Sequence, residues 1–149
     1  MEIKNLYDPA AKLEIIERIN KLTSESQRQW GKMDVAQMLA HLQQPLEVAL
    51  GHRTIKGSFL MNLILPLFKK TLWDEKPWKK GIPTDPTYIT VAAPRNFQQE
   101  KAKLLELISQ FTEAALSDKK HPVFGFMTKE QWSRSGWKHI DHHLKQFGV

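Results

Sequence analysis

The sequence predicts an all-α protein, a four-helix bundle with one long crossover connection. Three observations carry this. Four stretches repeat apolar residues at helical spacing between capping residues, one long irregular connection separates the second from the third, and almost nothing alternates as a strand would. Only Tyr88 to Val91 has a strand-like pattern.

The first helix opens at Asp8-Pro9, where Asp8 can cap and Pro9 suits the first helical position, and its apolar face reads Leu13, Ile16, Ile19 and Leu22. A polar loop through Thr23 to Ser26 and Trp30-Gly31 leads to a second helix over Asp34 to Leu50, closed by Gly51. Its stripe is Val35, Met38, Leu39, Leu42, Leu46 and Leu50. His52 to Lys70 reads as a loop and then a short apolar helix, and Lys69 to Arg95 is the irregular crossover, with four of the 8 prolines. With Pro94 near its first turn, a third helix is expected to reach about Leu116 through Phe97, Leu104, Leu105, Ile108, Phe111 and Ala115. Thr128 with Gln131 matches a capping box and starts a fourth helix ending at Gly148.

At 149 residues, 41% hydrophobic and 26% charged, the composition is that of an ordinary globular chain, and a single domain over residues 1–149 is expected because two would each be poor in core. There are 0 cysteines, which excludes disulfides, thiolate metal ligands and cysteine nucleophiles, so any metal must rest on nitrogen and oxygen. The start, Met1 to Asp8, lacks a basic stretch followed by an apolar one, and a cytoplasmic location is expected. The longest apolar run, Phe59 to Phe68, contains Asn62 and Pro66 and is about half the length of a membrane span, so it reads as core or pocket wall.

The histidines are the most informative feature. Six occur, at 41, 52, 121, 139, 142 and 143, three of them on the fourth helix. At about 100° per residue, His139 and His143 lie about 40° apart beside an apolar arc of Trp132, Gly136, Ile140, Leu144 and Phe147. His142 falls on the far side, near Lys138 and Gln131, toward water or a pocket mouth. Two imidazoles one turn apart can reach a common point, and a third ligand would come from a neighbouring helix, where His41 sits at the edge of the second helix's stripe. Pro45 cannot donate to the His41 carbonyl, so a local opening is expected there. The alternative reading makes these hydrogen-bonded boundary histidines. His52 and His121 are expected in solvated loops, and the absence of a Glu after His139 excludes the zinc-protease signature.

Trp30-Gly31-Lys32-Met33 leading to Met38-Leu39-Ala40-His41-Leu42, with His139-Ile140-Asp141-His142-His143-Leu144-Lys145-Gln146, resembles the DinB/YfiT-like superfamily. More narrowly, Gly125-Phe126, Trp132 and the run His142 to Gly148 resemble a branch labelled only as a domain of unknown function. These motifs cover the second helix and about the last 25 residues, with a generic middle. The resemblance implies an antiparallel four-helix bundle with a long crossover and one divalent metal held by three histidines. His41, His139 and His143 match those positions, with His142 the substitute if the fourth helix is rotated. It also implies chemistry of the metal-dependent hydrolase or thiol-dependent transferase type.

Nitrogen-only ligation suits zinc, nickel, iron or cobalt. No general base is evident: Asp34, on the His41 edge, is a candidate, but at a helix start it reads first as a cap or dipole partner. Gln146, near the His139 side of the fourth helix, is a candidate to orient a ligand from behind. Trp30, Phe59, Met61 and Trp132 are the expected pocket walls. A module that binds metal or a small molecule without turnover is the alternative function. The net charge of +6 keeps nucleic acid in view through Lys69, Lys70, Lys76, Lys79 and Lys80 interleaved with Trp73 and Trp78, but Asp74 and Glu75 interrupt that patch and it reads as a solvated loop. The partners expected are therefore a small-molecule substrate, no nucleic acid and no membrane, with a homodimer as a candidate assembly.

Overall fold

The computed structural model describes residues 1–54, 65–81, 94–117 and 120–149. Four α-helices run α1 (Pro9–Lys21), α2 (Val35–Ala49), α3 (Phe97–Gln110) and α4 (Lys129–Gln146), with a 3-10 helix over Leu65–Leu72 between α2 and α3. Among the described residues there is no strand, only an isolated bridge between His121 and Gly125. The described residues are all-helical in their regular structure, as the periodicity predicts. The strand-like Tyr88–Val91 and the pocket-wall residues Phe59 and Met61 lie outside the described residues.

The helix starts follow from local chemistry. Asp8 accepts from the Ala10 amide ahead of Pro9, and full capping boxes form at Asp34 with Gln37 and at Thr128 with Gln131. Each satisfies amides that a helix start leaves without partners. The third helix departs from expectation at both ends. Asn96, accepting from the Gln99 amide, is its cap, so Pro94 lies outside the helix. At the other end the helix stops at Gln110 instead of Leu116: Phe111 leaves the helical conformation with its ring fully buried, and Thr112 starts a new turn that takes the Ala115 amide. Burying Phe111 thus decides where α3 ends.

The core lies where the four helices meet. The whole expected stripe of α2 is buried, and this helix packs along α3 and against α4, while α1 reaches both α3 and α4. On α1 the buried face is Ala11, Ile15, Ile19 and Leu22, and Leu13 is 55% exposed. The true face follows an i, i+4, i+8 row, and Leu13 lies on the other side of it. Arg18 of α1 grips the C-terminal half of α4, donating to Asp141 Oδ1 at 2.9 Å and to the Val149 carbonyl at 3.0 Å.

Because α4 is covered on nearly every side, it buries polar groups as well. Lys138 is 1% exposed and spends its three ammonium protons on the Thr71 carbonyl, the Asp74 carbonyl and Asp74 Oδ1, at 2.7 to 2.8 Å. The expectation that this side of α4 faces solvent fails at Lys138, because the segment after the 3-10 helix folds down over it. That clamp sets the roof of the histidine cluster.

Candidate metal centre

α2 and α4 bring His41, His139 and His143 together, with one ring nitrogen from each lying within 4.8 Å of the others. The ring centroids are 4.8 Å apart for His41 with His139, 4.8 Å for His41 with His143 and 4.9 Å for His139 with His143. His41 Nε2 and His139 Nε2 are 2.9 Å apart, so in the metal-free chain one ring donates to the other. His41 and His143 are buried and His139 is half-buried. These are the three positions the sequence singled out, and Pro45, inside an α2 that continues through it, leaves the His41 carbonyl without its usual donor four residues on.

The protonation of His143 is set from behind. Its Nδ1 lies 2.7 Å from Gln146 Oε1, and the Nε2 of the same amide donates to the Trp30 carbonyl at 2.6 Å. A carbonyl only accepts, so the amide nitrogen must face Trp30 and its oxygen must face His143. Nδ1 of His143 therefore carries the proton, leaving Nε2 as a lone pair for a ligand. Gly31 makes this arrangement fit: with φ of +81°, its Cβ position lies 2.5 Å from Gln146 Nε2, so any side chain there would collide with the amide. Gln146, expected near the His139 side of the helix, does orient a histidine from behind, but the one it holds is His143.

Burial keeps His139 and His143 neutral. Desolvation first, then the neighbouring His41, pushes His143 down to about 3, and His139 is held well below its ordinary value by the same causes. His142 is lowered mainly by desolvation as well. Neutral imidazole is the form that binds a metal.

Trp78 roofs the site, its ring 5.7 Å from that of His139 and 5.6 Å from that of His142, with its indole N–H donated to the Thr71 carbonyl at 2.8 Å. Trp30 flanks His142 from another side at 5.9 Å. His142 does not join the three-nitrogen cluster; it lines a neighbouring cavity of about 150 Å³ with Trp30, Trp78 and Lys138. A larger open cleft, about 500 Å³, lies between the starts of α2 and α3 and touches none of the histidines.

Several expectations need correcting. Asp34 is consumed as the cap of α2 and does not serve the cluster. Trp132 packs against His121, with ring centroids 5.0 Å apart, and does not line the cavity beside the cluster, whereas Trp30 does. His121 itself is buried, not solvated: its Nδ1 accepts from the Val123 and Phe124 amides, holding the tight turn before α4. His52 is exposed as expected. Sequence reasoning missed Trp78 and the buried Lys138; their positions depend on how the crossover folds back, which no spacing rule along α4 encodes.

A helical chain with three inward-facing histidines at one point is thus the class that fold and site define: a helical protein with a candidate metal centre. It belongs to the family described as Protein of unknown function (DUF1569), which matches residues 4–148. No curated protein and no solved structure matches the chain.

Proposed function

We propose that the protein holds one divalent transition metal ion, zinc, nickel, iron or cobalt, through His41, His139 and His143, and acts on a small molecule as a metal-dependent hydrolase or thiol-dependent transferase. The observation that carries this reading is the convergence of three imidazoles, of which His139 and His143 are kept neutral by burial and His143 has its tautomer imposed by Gln146. Three nitrogen donors without a carboxylate or thiolate suit these metals. An ion so held keeps positions open, where water or a substrate heteroatom becomes more acidic.

The chain's own groups supply the rest. Gln146 fixes His143, Trp78 excludes water from one side of His139, and the cavity beside His142 offers space next to the site. The resemblance to the DinB/YfiT-like superfamily, and the antiparallel bundle it implies, agree with one ligand on α2 and two on α4. A small-molecule partner is favoured over nucleic acid because Trp78 is turned onto the histidines and Trp73 packs against the core, leaving neither as a stacking platform. Among the described residues no helix is long and apolar enough to cross a membrane.

A second reading, metal binding without turnover, is favoured by one observation: Asp34, the one carboxylate considered as a base, is occupied as a cap. Elemental analysis of the purified protein beside the His41→Ala/His139→Ala/His143→Ala variant tests the metal. About one equivalent in the wild type and none in the variant is expected. Turnover assays on the loaded protein then separate the two readings.

A further inference from the structure

The cavity of about 150 Å³ beside the histidines has a composition that the metal reading does not use. Its volume equals that of about five waters. Trp30, Trp78 and His142 give it flat walls, and Lys80, Lys138 and Lys145 bring three cations to its edge. Asp141 is the one carboxylate among its lining residues, and it is already held by Arg18 at 2.9 Å and Lys145 at 2.8 Å. Lys138 is fully spent on Thr71 and Asp74. Lys80 stands apart: its ammonium lies 4.5 Å over the Trp30 ring, and among the described residues it has no carboxylate partner. A cation fixed on an aromatic face at the rim of a small flat-walled cavity is arranged to meet an anion.

We propose that this cavity is the recognition subsite for a small organic anion, a carboxylate-bearing molecule with a flat or apolar body, whose charged end meets Lys80. The body lies against Trp30 and Trp78, and the opposite end points past His142 toward the three-histidine cluster. Continuity with that cluster is direct: Trp78 and His142 line the cavity, and their rings lie 5.7 Å from His139 and 5.2 Å from His143 respectively. The proposal names the substrate class for the metal site proposed above and rests on that reading for the chemistry, though the binding itself needs no metal.

The test uses the full chain, metal-free, with tryptophan fluorescence and calorimetry reading the binding of benzoate, benzamide and benzylamine. These three share a ring and differ in charge. Benzoate is expected to bind at least about tenfold more tightly than benzamide, with benzylamine weakest. Lys80→Met is expected to remove the preference for benzoate while leaving benzamide unchanged, and Trp30→Leu to weaken both. Equal binding of benzoate and benzamide by the wild type, or an undiminished benzoate preference in Lys80→Met, would overturn the proposal. So would benzoate binding that appears only after metal is added and is lost in His41→Ala, because the carboxylate would then be a metal ligand. If the protein takes up no metal at all yet benzoate binds through Lys80, the metal reading fails and the anion subsite stands.

Discussion

Gln146 Oε1 accepts from His143 Nδ1 at 2.7 Å, while the other end of the same amide donates to the Trp30 carbonyl at 2.6 Å. One side chain thus ties the loop before α2 to the imidazole on α4 and decides which nitrogen of His143 faces inward. Replacing Gln146 with Leu keeps the bulk and removes both bonds. Metal affinity is expected to fall about 10- to 100-fold with the fold intact, as measured by competition with a coloured chelator. Unchanged affinity would show that His143 is oriented by packing alone.

Gly31 protects the same contact. An added methyl would sit 2.5 Å from Gln146 Nε2 and would also strain a backbone at φ of +81°. Gly31→Ala is expected to destabilise the protein by about 1–3 kcal/mol in denaturant titrations. It should also weaken metal binding in the same direction as Gln146→Leu. In the double variant the two losses of affinity should overlap instead of adding, because they remove one arrangement.

The buried lysine gives an independent test of the roof. Lys138→Met removes three donors from the Thr71–Asp74 turn, and a loss of about 2 kcal/mol is expected, with tryptophan emission shifting to the red as Trp78 gains water. Asp74→Asn, which keeps an acceptor for the lysine, should cost less. Equal effects would place the cost in the charge and not in the hydrogen bonds.

His121 makes stability depend on pH. Burial first, and then Lys69, push it down to about 4, so the unfolded chain takes up this proton at about 6.5 while the folded chain does not. Its contribution is intact above about pH 6.5 and is lost as pH falls toward about 4, at about 1.4 kcal/mol per unit and about 3 kcal/mol in all. His143 acts with the same sign and over a wider range, down to about 3. Unfolding of metal-free wild type and His121→Asn between pH 7 and pH 4 should therefore show the variant with the shallower slope; parallel curves would contradict the assignment.

How much of this was legible in the sequence varies by element. Asp8-Pro9, Asp34 and Thr128 with Gln131 are local signals, and α1, α2 and α4 start where they say. The pairing of His139 with His143 was readable because spacing on one helix is also local, and His41 from its place at the edge of the α2 stripe and from the family resemblance. Gln146 was expected on the His139 side, and that it holds His143 depends on side-chain conformation and on Trp30 across the loop. Phe111 ending α3 was not, since whether an aromatic continues a helix or leaves it to fill the core depends on the other helices. Nor was Trp78 over His139, or His121 accepting two amides in a turn, because both arise from contacts between segments whose sequences carry no shared period.

The central claim is that one ion is shared by α2 and α4 through three particular histidines, and the most direct measurement is metal titration into the stripped wild type and its four single alanine variants at neutral pH. One equivalent should bind the wild type. His41→Ala, His139→Ala and His143→Ala should each lose at least about 100-fold in affinity, since two imidazoles hold such ions weakly, and His142→Ala should stay within a few-fold of wild type. Wild-type affinity in His41→Ala, or loss of the metal in His142→Ala while His139→Ala retains it, would contradict the account.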